Sequence, residues 1–329
     1  MARSLHDNFG AKLQAVKIAI CHKDCPDGVA SAVFLQDSIP GIEIRFMLHN
    51  TPEHKELDPK PGMLFCDFTP HPDRYKEFVK AGTLVLDHHK LAQELVEDFG
   101  DNGVFGDEDT EPGVCGAYLA YREVWCRFNH DADSSEKGMA EDIARLAGIR
   151  DTWQRDSPEW EEACRLAAAM TFYTPESWLS KLHPFDDYQW LVERIETGRT
   201  VVDKTAKAVD KAIAGAYHFM TLSGTKVAIF PGTKESSDAA DKLGTAVDLV
   251  VGFSYYETAA DGIVTLGYST RSKTGFNCGA FGKSLGGGGH TAAAGFSTKF
   301  DADVGAQDPY NTFRILLEDY EDCPPIPLL

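Results

Sequence analysis

The 329-residue chain contains no apolar run that approaches the length of a membrane span. Its opening residues, Met1 to Gly10, lack a signal-peptide pattern. The eight cysteines are scattered, with no Cys-x-x-Cys pair. That argues against a zinc ribbon and a disulfide framework, and makes a reduced cytoplasmic setting the expectation. Basic excess is missing too: 51 acids stand against 32 bases, for a net charge of −19. Nucleic-acid binders draw much of their affinity from neutralising phosphates. A long polyanion, duplex or single-stranded, is repelled here unless a local basic groove or bound cations offset the field. A small anionic substrate held by metal ions is compatible with the balance. No internal repeat is evident.

What is present begins with Gly82-Thr83-Leu84-Val85-Leu86-Asp87-His88-His89-Lys90. A short apolar run stops abruptly at an acid and two histidines, so a buried strand there presents metal-binding groups at its tip. Other runs in the same half end alike. Lys17–Cys21 reads as a strand entering the loop His22-Lys23-Asp24-Cys25-Pro26-Asp27-Gly28, followed by a helix over Val29–Gln36. Glu43–Leu48 is a second strand, and Met63–Phe68 a third that carries Asp67. Helical patterns cover Asp73–Ala81, Val114–Phe128 and Ala140–Ile149, the last running into Arg150-Asp151-Thr152-Trp153. The alternation predicts a mostly parallel sheet flanked by helices, whose sites lie beyond the carboxyl ends of the strands. His22, Asp24, Asp27, Asp67, Asp87, His88 and His89 all fall there.

The stretch from Tyr188 to Ala216 reads as one long connecting helix, and the composition then shifts. Strand-like runs follow at Tyr217–Leu222, Lys226–Phe230, Asp248–Tyr255 and Ile263–Thr270, with a helix at Ala239–Leu243. Pro231-Gly232-Thr233 and Asp261-Gly262 are turn signals. A glycine loop, Gly286 to Gly289 and His290, precedes the small residues Ala292–Ala294, and Cys323 to Pro327 is expected to be irregular. The length allows two α/β domains. We set them at 1–205, connector included, and 206–329, the second smaller and mixed.

Carboxylate oxygens and imidazole nitrogens without a thiolate suit Mn²⁺, Mg²⁺ or Fe²⁺ better than a structural zinc. Two such ions about 4 Å apart need a bridging carboxylate, and as a pair they polarise a phosphoryl oxygen and activate a water. Asp87 then holds a histidine in its tautomer. Each residue also has a plainer reading. Asp24 and Asp27 suit a turn and a helix cap, and Asp151 suits a cap as well; the combination is what caps and turns explain poorly.

The ordered set resembles the DHH–DHHA1 phosphoesterase superfamily, named for the triplet seen here at Asp87-His88-His89. The resemblance covers nearly the whole chain. It runs from His22-Lys23-Asp24-Cys25-Pro26-Asp27-Gly28 through Phe65-Cys66-Asp67-Phe68 and Arg150-Asp151-Thr152-Trp153. It continues at Ser269-Thr270-Arg271-Ser272 and at Gly287-Gly288-Gly289-His290 with Ala292-Ala293-Ala294-Gly295. The resemblance implies a first metal on His22, one first-motif Asp and Asp67. It implies a second on the other first-motif Asp, the bridging Asp67, His88 and Asp151, with His89 facing the substrate phosphate. It further implies that Ser269, Arg271, Ser272, Gly287, Gly288, Gly289 and His290 bind the substrate from the second domain. Glycine lets backbone N–H groups approach a phosphate, and arginine binds one bidentately. The first motif is spaced His-x-Asp-x-x-Asp, a departure that leaves open which of Asp24 and Asp27 serves which metal.

These implications lead to a manganese-dependent phosphodiesterase with two ions, Mg²⁺ or another divalent ion being the alternative. Its expected substrates are 5′-phosphorylated linear dinucleotides of the pGpG or pApA type, bound in a cleft between the domains and cut to mononucleotides, as by a nanoRNase. A homodimer is compatible with this reading. Within the superfamily the glycine–histidine signature disfavours the pyrophosphatase branch. No sensor or membrane segment precedes residue 17, which disfavours a membrane-anchored cyclic-dinucleotide enzyme, though a cyclic-dinucleotide phosphodiesterase stays an alternative. The rivals are an exonuclease on longer single strands and, from another class, a non-catalytic nucleotide-binding or scaffold protein, which would not require two metals.

Overall fold

The structure, a computed structural model, describes residues 6–181, 183–257, 263–301 and 308–322. The turn expected at Asp261-Gly262 and the tail expected at Cys323–Pro327 lie outside them. The chain divides into two compact units, Met1–Val202 and Asp203–Leu329, and the division falls inside the long helix Tyr188–Ala214.

Among the described residues the first unit is built on five parallel strands: β1 (Ile18–His22), β2 (Glu43–Met47), β3 (Met63–Cys66), β4 (Leu84–Asp87) and β5 (Gly103–Phe105). Their spatial order is β2-β1-β3-β4-β5, every neighbouring pair parallel. The inner strands are apolar because both faces of the sheet are covered, and successive side chains go to opposite faces. Ala19, Cys21, Leu64, Cys66, Leu84 and Leu86 join one core with the helices Pro26–Ser38, Ser134–Asp151 and Trp160–Phe172. Ile20, Met63, Phe65 and Val85 join the other, with Phe78 of the helix Tyr75–Ala81. The connection from β1 turns to β2, and that from β2 returns to β3 on the other side. The chain order therefore reverses between β1 and β3, which is where ligand crevices form in open α/β sheets.

The helix Ser134–Asp151 has a well-defined start. Asp133 accepts from the N–H groups of Ser135 and Glu136 at 2.7 and 3.0 Å, and Glu136 accepts from the Asp133 N–H at 2.8 Å, a reciprocal capping box. The far end of that helix carries Asp151. The span expected as one helix over Val114–Phe128 begins at Gly116 and has a π-helical turn at Tyr121–Trp125.

Among the described residues the second unit holds six strands: β6 (Tyr217–Met220), β7 (Lys226–Pro231), β8 (Leu249–Glu257), β9 (Ile263–Arg271), β10 (Gly288–His290) and β11 (Ala293–Asp301). They lie in the order β10-β11-β9-β8-β7-β6, with only the β7–β8 pair parallel. Phe253, Tyr268, Phe296 and Phe313 dominate one core, the last from the helix Pro309–Asp322; Ala228, Phe230 and Val250 pack on the other face with Val209, Ala239 and Ala240. The small residues after the glycine loop begin a nine-residue strand, β11. Among the described residues no helix is long and apolar enough to cross a membrane.

Candidate metal centre

The tips of β1, β3 and β4 gather the acids and histidines. After β3 the backbone turns sharply: Asp67 adopts φ 56°, a conformation unusual for a residue with a side chain. Its carboxylate is buried, 1% exposed, and neither oxygen has a hydrogen-bond partner. Oδ2 lies 3.7 Å from His22 Nδ1 and Oδ1 lies 3.4 Å from His88 Nε2. The two oxygens thus face two different groups of donors.

One group is Asp27, His88 and Asp151, with His88 Nε2 3.6 Å from Asp27 Oδ2 and 3.4 Å from Asp151 Oδ2. Asp27 sits in the first turn of the helix Pro26–Ser38 and accepts the Gly116 and Ala117 N–H groups at 2.7 and 2.8 Å, so the start of the helix Gly116–Ala120 points at its carboxylate. Space is tight here. A Cβ at Gly28 would stand 2.2 Å from the His22 carbonyl oxygen, and one at Gly116 would stand 2.3 Å from Asp67 Cβ. A second group is His22, Cys25 and Asp67, and a third joins Asp67 to Asp87, His88 and His89. Seven free thiols are among the described residues, and Cys25 is the one in a donor group.

Two acids orient the histidine pair. Asp87 Oδ1 lies 2.6 Å from His89 Nδ1 and also accepts the backbone N–H groups of His88 and His89 at 2.8 and 3.2 Å. Glu108 Oε1 lies 3.3 Å from His88 Nδ1, which leaves Nε2 facing the carboxylates. His88 is buried, whereas the His89 side chain is 42% exposed.

The electrostatics describe a cluster short of positive charge. Burial beside Asp67 and Asp151 pushes Asp27 well above the usual carboxylate range, and burial likewise raises Asp151. Burial alone would raise Asp67 as well, but the nearby His22 and His88 imidazoles pull it below that range. Burial works against protonated imidazoles too, yet Asp67, Asp27 and Asp151 raise His88 to about 10, and Asp87 raises His89 to about 9. The buried, unpartnered atoms His22 Nδ1, Asp67 Oδ1 and Oδ2 and His88 Nε2 fit divalent cations, as does the mixture of nitrogen and oxygen donors.

The remaining site residues expected from the sequence divide clearly. Asp24 is exposed, with φ 59°, and belongs to no donor group. In the second unit the half-buried Arg271 guanidinium donates to Ser237 Oγ at 2.9 Å, Ser269 Oγ at 3.0 Å and the Thr270 carbonyl at 2.8 Å. Ser272 is bound to its own turn, accepting the N–H groups of Thr274 and Phe276 at 3.3 and 3.2 Å. Gly287, Gly288, Gly289 and His290 are exposed. Gly287 has a packing reason as well, since a Cβ there would stand 2.1 Å from the Gly295 carbonyl oxygen.

Three residues to which the sequence assigns no role lie at the site: Cys25, Glu108 and Trp153. Trp153 borders a pocket of about 110 Å³ beside Asp27 and Asp151, with Arg150 and Met170 also in its wall. The indole is 45% exposed, has φ 54°, and carries the Arg150 and Arg155 guanidinium groups at 4.3 and 4.7 Å from the ring.

The parallel five-stranded sheet with a separate mixed sheet is the two-domain DHH/DHHA1 layout. The fold is shared with the DHH domain of a member of a ribosomal-protein family (TM-score 0.55, 14% identity, 96% of this chain and 88% of that one). It is shared also with the exonuclease RecJ bound to manganese (TM-score 0.57, 17% identity, 98% and 95%). A further match is the pGpG-specific phosphodiesterase PggH of Vibrio cholerae (TM-score 0.56, 12% identity, 93% and 99%). No family model and no curated protein matches the sequence. The α/β fold implied by the motif resemblance is the fold present.

Proposed function

We propose that the chain is a two-metal phosphodiesterase that hydrolyses short linear nucleotides, 5′-phosphorylated dinucleotides of the pGpG or pApA type, to mononucleotides. The observation that carries this reading is the Asp67 carboxylate, buried and unpartnered, with one oxygen toward His22 and the other toward His88. A bridging carboxylate is what a pair of cations needs. The fold shared with a pGpG-specific phosphodiesterase and with RecJ supports the reaction class. We assign Mn²⁺ to the oxygen-rich position of Asp27, Asp67, His88 and Asp151. Bound in this centre, the cations supply Lewis acidity toward a phosphoryl oxygen and lower the pKa of a water.

The chain's own residues do the rest. Glu108 keeps His88 Nε2 turned to the carboxylates. Asp87 holds His89 through Nδ1, so that its exposed edge is presented to a phosphate oxygen. Trp153 offers a ring to a base. In the second unit Arg271, with Ser269, Ser272 and the loop Gly287–His290, binds the terminal phosphate. Its present partners are neutral oxygens that an anion can replace or join. Catalysis, with the base contact at Trp153, therefore belongs to residues 1–205 and binding of the terminal phosphate to 206–329. The proposal sets the reaction in the cytoplasm, where the thiols stay reduced.

The test is Mn²⁺-dependent turnover of 5′-labelled two-mers, ten-mers and cyclic dinucleotides in parallel. Two-mers are expected to be cleaved fastest. Equal rates on ten-mers would move the assignment to a single-strand exonuclease, and no hydrolysis with both cations bound would sink the enzyme reading.

A further inference from the structure

The donors around His22 differ in kind from those around His88, and the difference is the sulfur. We propose that Cys25 is a metal ligand. Its thiolate, the His22 imidazole and the Asp67 carboxylate form an N/S/O position that takes a thiophilic divalent ion such as Zn²⁺ or Co²⁺, beside an O/N position that takes Mn²⁺ or Mg²⁺. The inference rests on the two-metal reading of the site.

The local chain geometry places the thiol. β1 ends at His22, and Lys23 and Asp24 are exposed, with Asp24 at φ 59°. That turn carries the acid outward. Cys25 follows in an extended conformation, φ −119° and ψ 128°, as the residue capping the helix Pro26–Ser38. Its sulfur, a His22 ring nitrogen and an Asp67 oxygen lie within 4.8 Å of one another. Two ligands bonded to one tetrahedral zinc at about 2.0–2.3 Å lie about 3.3–3.8 Å apart, so side-chain shifts of up to about 1 Å close the set. The other two members supply the independent sign of a ligand: His22 Nδ1 and Asp67 Oδ2 are buried without partners. A soft sulfur donor shifts preference from Mn²⁺ or Mg²⁺ toward Zn²⁺, Co²⁺ and Fe²⁺. On binding, the thiol proton leaves to solvent and the sulfur lone pair forms the metal bond, with no change of oxidation state.

The test loads chelator-stripped full-length protein with Co²⁺ and reads its absorption. The wild type is expected to bind two equivalents and to show a sulfur-to-cobalt charge-transfer band in the near ultraviolet. Cys25→Ser and Cys25→Asp should lose the band while keeping cobalt at the other position. Competition should then show Zn²⁺ bound at least about tenfold more weakly by Cys25→Ser, with Cys25→Asp shifted toward Mn²⁺. Two bound equivalents without the band, or a band that persists in both variants, overturns the thiolate ligand and leaves the two-metal reading standing. No cobalt bound by the wild type overturns both. Circular dichroism identifies a variant that has failed to fold, and the Asp variant, which restores a charged ligand, then decides.

Discussion

In the first unit Asp27, Asp67, Asp87 and His88 are all buried, and Asp67 has both oxygens unpartnered. In the second, Arg271 is half-buried against neutral oxygens, and the loop Gly287–His290 is exposed. One unit holds a surplus of carboxylate in a low-dielectric setting; the other holds a cation whose partners carry no charge. On the proposed function the first is completed by cations and the second by an anion. Damage to the first should show as lost metal, whereas damage to the second should show as lost substrate affinity with the metal intact.

The largest expected effect is at the shared ligand. Asp67→Ala should lower two-mer hydrolysis by at least about 10³-fold and leave no more than one metal per chain. Near wild-type turnover with full metal content would break the bridging role. His88→Ala should also lose metal, while His89→Ala should retain it and lose about 10²-fold in turnover; metal loss confined to the His89 variant would reverse the two roles.

In the second unit the metal count should not move at all. A charge-assisted contact contributes about 1.5–3 kcal/mol, so Arg271→Ala should cost about ten- to a hundredfold in kcat/KM on 5′-phosphorylated two-mers and much less on dephosphorylated ones. Equal losses on the two substrates would show that Arg271 does not read the terminal phosphate. Trp153→Ala, back in the first unit, should raise KM by about tenfold through lost base stacking, with metal content unchanged. A substrate lacking the stacked base should feel no such change, and a loss of the same size on it would remove the stacking role.

Much of the first unit was legible because its inner strands are short apolar runs that stop at an acid, and a parallel sheet buried on both faces leaves that signature. The adjacency of β1 and β3, and hence of His22 and Asp67, follows from the same topology. Cys25 was not legible. Cysteine is read by its spacing to other cysteines, and no cysteine lies three positions from Cys25. Only the left-handed turn at Asp24 decides that the acid points out and the sulfur in. Glu108 was hidden in the acidic stretch Gly106 to Glu111, which looks like a solvated turn. In the second unit β11 opens with Ala293-Ala294-Gly295, whose small side chains give no alternation to read, and the packing of Gly287 against Gly295 is a contact between segments.

The smallest expected effect is a change in thermal stability with pH, and it separates the units most directly. In the metal-free protein burial opposes a charged His88, but Asp67, Asp27 and Asp151 raise it to about 10, and Asp87 raises His89 to about 9. The unfolded value is about 6.5. A folded pKa above the unfolded one means that the imidazolium's contribution is fully present below about pH 6.5 and is lost as the pH rises toward 9–10. The metal-free first unit should therefore weaken with rising pH across that window. Coordination requires a neutral His88, so each metal bound there displaces a proton, and affinity should climb by up to about tenfold per pH unit across the window. Saturation at about a hundred times Kd adds about 2.7 kcal/mol, or roughly 5–10 °C in Tm for a unit of this size. The Mn²⁺-induced rise in Tm should thus be larger near pH 9 than near pH 6.5, and confined to the transition of the first unit. Melting curves with and without Mn²⁺ at both values check this. An increment independent of pH would mean that metal binding displaces no proton from His88, and an equal shift of the second unit's transition would mean that the two units do not divide cation and anion between them.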